Sequence, residues 1–147
     1  MGQKSSVDQL NEFLRGEISA VETYRMALDK LDKGSPARAE LDACLQSHQA
    51  RVMLLRDAVV TAGGKPADGS GPWGVFAKAV EGGARILGDK AAVAALEEGE
   101  DHGIKEYKVS DADLDPTTRA LVSSQLMPEQ RRTHERMSTL KKRLAAA

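Results

Sequence analysis

Between Val7 and Leu31 apolar side chains return every three or four positions, at Val7, Leu10, Leu14, Val21, Tyr24, Leu28 and Leu31. That interval follows the turn of an α-helix and predicts one long amphipathic helix. A second line runs through Leu41, Leu45, Val52, Leu55, Val59 and Ala62, and a third through Val93, Leu96, Gly103 and Tyr107. The fourth, Met127, Met137, Leu140 and Leu144, is less regular. Each line carries one strongly polar member where the period calls for an apolar one: Glu17, His48, Glu100 and His134. An unpaired ion inside a protein is costly, so polar groups at such places pair with one another or bind a metal.

Turn and cap residues divide the chain. Ser6 with Gln9 forms a capping box that starts the first helix, and Gly34 stops it. Ser35 before Pro36 caps the second helix, which ends at Gly63 and Gly64. The two therefore predict an antiparallel hairpin. Residues 63 to 72, rich in Gly, Pro, Asp and Ser, read as a long connection, followed by a short helix from Trp73 to Leu87. Asp89 caps the third helix to about Val109, and Asp115 with Pro116 starts a fourth that Pro128 breaks or kinks. Hairpin, crossover and hairpin make an all-α, ferritin-like four-helix bundle with an extra short helix in the crossover.

The length of 147 residues fits a single domain spanning 1–147. Aromatic residues are only 3% of the chain and no strand alternation is found, which favours helix. With 21 basic against 22 acidic residues the formal charge is −1, so neither nucleic acid nor an acidic membrane surface is an expected partner. The basic run Arg131, Arg132, Arg136, Lys141, Lys142 and Arg143 reads as a solvated helix face. One cysteine, Cys44, and no apolar leader or membrane-spanning run point to a cytoplasmic protein. No triad, phosphate-cradling loop or dinucleotide fingerprint is present, and no small-molecule substrate is identified.

Gly16-Glu17 followed by Tyr24 matches Gly99-Glu100 followed by Tyr107, each tyrosine with a basic residue after it, Arg25 or Lys108. Helices one and three thus read as copies, with His48 and His134 as counterparts on helices two and four. A duplicated hairpin would bring the two glutamates and two histidines to one centre about a pseudo-twofold axis.

Glutamate with tyrosine seven residues on, together with a histidine on helices two and four, resembles the ferritin-like superfamily of carboxylate-bridged metal bundles. More narrowly, Gly63-Gly64-Lys65-Pro66, Leu96-Glu97-Glu98-Gly99-Glu100-Asp101-His102 and Tyr107 are similar to a bacterial family of ferritin-like four-helix proteins with no assigned function. The resemblance implies Glu17 and Glu100 as metal ligands, with His48 and His134 as the histidines of two Glu-x-x-His motifs. The bridging glutamates of those motifs are absent: Leu45 and Arg131 stand in their places. Two adjacent cations would lack neutralisation there, which argues against a di-iron centre and ferroxidase activity.

Two readings follow. In the first, Glu17, His48, Glu100 and His134 hold one divalent ion (iron, zinc or manganese) in a protein tied to metal handling or oxidative stress. In the second, each histidine hydrogen-bonds to a glutamate in a polar network of a metal-free structural or interaction module; Arg131, if turned inward, would pair with Glu100 and occupy the space of a cation. A homo-oligomer fits either. His102 reads as a surface residue, Tyr24 and Tyr107 as core residues with bonded hydroxyls, Cys44 as an inert small hydrophobe, and Met26, Met53, Met127 and Met137 as core filler.

Overall fold

A computed structural model describes residues 6–70, 88–110 and 114–146, and among these every regular element is helical. Helix α1 spans Ser6–Lys30, α2 Arg38–Thr61 and α3 Asp89–Ser110. The fourth long stretch is compound: α4, Pro116–Leu121, passes through a π-helical turn, Val122–Leu126, into α5, Met127–Ala146. The short helix expected over 73–87 lies outside the described residues. None of the described helices is long and apolar enough to cross a membrane.

The apolar lines read from the sequence form the core. Leu10, Leu14, Val21, Tyr24 and Leu31 of the first line are buried, as are Leu41, Leu45, Val52, Leu55 and Val59 of the second. Burial of one such side chain stabilises by about 1.5–3 kcal/mol, and these residues share a single cluster with Val93, Leu96, Tyr107, Met137 and Leu140. Ala62 falls past the end of α2 and is exposed, and Met53 is an outward residue at 62% exposure rather than core filler.

Contacts between the helices give their directions. Asn11 bonds to Lys65 and Arg38 to Leu28, so α1 and α2 are antiparallel. Tyr24 bonds to Glu100 and Tyr107 to Glu17, so α1 and α3 are antiparallel too. Ser47 meets Glu129 and Arg136 meets Glu40, which opposes α5 to α2. The four long stretches therefore run up, down, down and up. Gly64 lies beside Val7 at one end of the bundle and Asp89 beside Ser35 at the other, so the connection between α2 and α3 joins opposite ends.

Local chemistry explains the boundaries. Asp115 caps α4 by accepting from the Thr118 backbone N–H, with Pro116 in the first helical position, where its missing N–H is no loss. Ser35 does not sit at the α2 cap as its sequence position predicts. Its hydroxyl accepts from the Ala37 N–H and donates to Asp89 instead, and α2 starts at Arg38. At the far end Gly63 adopts φ +88°, and the Gly63 and Gly64 N–H groups bond to the carbonyls of Val60 and Val59, closing the helix. A Cβ on Gly64 would stand 2.4 Å from Cγ1 of Val7, so glycine is what lets α2 end against α1.

Pro128 does not break the fourth stretch. The π-helical turn immediately before it, closed by Met127 N–H bonding to the Val122 carbonyl, widens the backbone just where the proline has no N–H to give.

Candidate functional site

Three of the four polar residues singled out by periodicity meet in the bundle interior. Glu17, His48 and Glu100 are all under 5% exposed. His48 lies between the two glutamates, its Nδ1 2.5 Å from Glu17 Oε1 and its Nε2 2.6 Å from Glu100 Oε2. A neutral imidazole has one N–H, yet both contacts need a hydrogen against an ionised carboxylate. Burial alone would depress the His48 pKa, but the Glu100 and Glu17 carboxylates outweigh it and raise the value, which favours the imidazolium.

His134 does not join them. It is half-buried on the flank of α5, with Nε2 3.8 Å from Glu97 and 3.9 Å from Asp101. The polar inward residues of α5 are Gln130 and Thr133, both at most 3% exposed. Thr133 donates to Glu100 Oε1 at 2.6 Å, and Gln130 Nε2 donates to the same oxygen at 2.8 Å and to the Glu100 carbonyl at 2.9 Å. Gly103 makes room for this, since a Cβ there would lie 2.5 Å from Gln130 Nε2.

The fourth charge at the centre is Arg51. Its side chain is 2% exposed, and the guanidinium bonds to Glu17 Oε2 at 3.3 Å, to Thr133 at 3.0 Å, to Ser47 at 3.2 Å and to Gln130 Oε1. It also comes within 3.2 Å of His48 Nε2, an approach of two donors rather than a hydrogen bond. The two carboxylates offset that repulsion. Arg131, which would pair with Glu100 only if turned inward, is exposed on α5; the guanidinium that reaches the glutamates comes from α2.

The carboxylates stay ionised in this setting. Burial opposes ionisation of Glu17, but Arg51 and His48, together with the hydrogen bond from Tyr107, hold its pKa down at about 2. Glu100 is likewise held below its ordinary value, against burial, by His48, Arg51 and the Thr133 hydroxyl. Tyr24 donates to Glu100 at 2.6 Å and Tyr107 to Glu17 at 2.5 Å, so each tyrosine serves the glutamate of the other helix. Burial and that neighbouring carboxylate push both phenol pKa values up. Two carboxylates, one imidazolium and one guanidinium sum to zero, and among the described residues no buried side-chain nitrogen or oxygen lacks a hydrogen-bond partner.

This donor set does not fit a metal ion. Both imidazole nitrogens face carboxylates, the guanidinium occupies the cationic position beside Glu17, and His134 is elsewhere. Among the described residues no group of three or more His, Cys, Asp and Glu side chains is placed to hold a metal. Cys44, buried beside Thr133, has its thiol pushed up to about 12 by burial first and then by Glu100, which disfavours the nucleophilic thiolate. His102 is on the surface, 3.9 Å from Glu106. Comparison with family models, curated proteins and solved structures found no match for this chain.

Proposed function

We propose that this chain is a ferritin-like four-helix bundle in which an internal cation pair, His48 and Arg51, stands where the superfamily keeps its metal ions, so that it acts as a metal-free structural or interaction module. The observation that carries this reading is Arg51, buried and bonded to Glu17, Thr133 and Gln130 at the point where the four long stretches meet. The up, down, down, up order of the helices supports the ferritin-like part. The extra short helix in the crossover, a cytoplasmic setting and self-association belong to the same reading.

The competing reading, a single divalent ion serving metal handling or oxidative stress, draws on the meeting of Glu17, His48 and Glu100. It requires Arg51 to leave and a fourth ligand other than His134 to arrive. Equilibrium dialysis of tag-free protein against ferrous iron, zinc and manganese separates the two. Wild type is expected to take up none, whereas Arg51→Ala, which leaves two carboxylates facing one imidazole, is expected to gain one ion per chain. Stoichiometric uptake by wild type would overturn the metal-free reading.

A further inference from the structure

Beside the charge network, between α1 and α3, lies a cavity of about 80 Å³. Small residues line it on the two helices, Gly16 and Ala20 on α1 and Gly99 and Gly103 on α3, and leave the gap unfilled. Phe13 and Tyr107 close one side with tilted rings 4.8 Å apart, and the floor is the network itself.

The floor has a one-sided hydrogen-bonding character. Tyr24 and Tyr107 spend their hydrogens on Glu100 and Glu17, His48 spends both of its own on those carboxylates, and Gln130 spends both on Glu100. Glu100 already accepts four hydrogen bonds and Glu17 three, so what these groups still offer is lone pairs on the two phenol oxygens and on Glu17 Oε1. Because the network is neutral in charge, it does not call for an ion.

We infer that this cavity binds a small, neutral, ring-shaped molecule bearing one hydrogen-bond donor, of the size and chemistry of phenol. The apolar walls and the Phe13 and Tyr107 rings take the ring, and the acceptor floor takes the O–H. The cavity is open to solvent on one side rather than enclosed, so a single ring can enter it from its mouth. The inference rests on the internal cation pair for its account of which hydrogens are committed.

The test uses fluorophenol as the probe, followed by fluorine NMR with a chelator present, so that its result is independent of the metal dialysis. Binding is expected in wild type, with amide shifts clustered at Gly16, Gly99 and Gly103. Fluoroanisole, whose oxygen has no hydrogen to donate, should bind about tenfold more weakly, the loss of one hydrogen bond. A Cβ built at Gly16, which lines the cavity, has nothing within 4 Å, so Gly16→Leu adds bulk at the cavity wall and should abolish binding with helicity unchanged. No binding by wild type, equal binding of fluoroanisole, amide shifts elsewhere on the protein, or full binding by a folded Gly16→Leu would each overturn the inference.

Discussion

A buried arginine is stabilising only while its acceptors stay in place, and Arg51 has little redundancy: its guanidinium is the main cation facing Glu17 Oε2, and it also holds Gln130. Arg51→Met keeps the volume and deletes the charge, so a urea melt should show a loss of about 3–5 kcal/mol, part of it recovered when Glu17→Gln is added. A cost below about 1 kcal/mol would mean the network contributes little to stability. Arg51 escaped the sequence reading because His48 is followed by an apolar Val52 at the next inward position, and a long cation reads by default as surface. A charge tally was the available signal. Two inward acids and one inward histidine leave a deficit of positive charge, and Arg51, three residues beyond His48, shares its face.

On the element scale, glycines set how closely helices approach, and Gly16 and Gly64 make opposite cases. Gly64→Ala drives a methyl into Val7 and should destabilise by about 1–3 kcal/mol, relieved in part by Val7→Ala. Gly16→Ala meets nothing within 4 Å and should stabilise α1 by about 0.5–1 kcal/mol, as an ordinary helix-propensity gain. Thermal unfolding of the two variants side by side checks the contrast; equal shifts would contradict it. The helices themselves were legible in the sequence, because three regular apolar lines need only periodicity. The fourth was misread by one residue. Counting inward from Met127 lands on His134, whereas the buried line runs Val122, Leu126, Gln130, Thr133, Met137 and Leu140, so the count starts one residue past the buried Leu126. Nothing in the residue types around Pro128 announces a wide turn rather than a kink.

For the whole molecule, the network makes stability depend on pH from both sides. Glu17 and Glu100 titrate below the ordinary 4.5, so their contribution is complete above that pH and fades as pH falls toward the folded values. His48 titrates above the ordinary 6.5, so its contribution is complete below that pH and is lost as pH rises through the raised value. Urea midpoints should therefore be highest between pH 4.5 and 6.5 and fall on the alkaline side. In His48→Gln the alkaline fall should flatten; an unchanged alkaline limb would assign it to another group. The two hairpins also bear on which halves can pair. The α1–α2 hairpin brings Glu17, His48 and Arg51, one carboxylate against two cations, while α3–α5 brings Glu100 alone. Two copies of the first hairpin closing on each other would enclose four cations with two carboxylates, and two copies of the second would enclose two carboxylates with no cation. Only unlike halves balance. The charge asymmetry thus acts as a matching rule against exchange of like hairpins between chains, and the two hairpins, alike in their Glu-to-Tyr spacing, are not interchangeable.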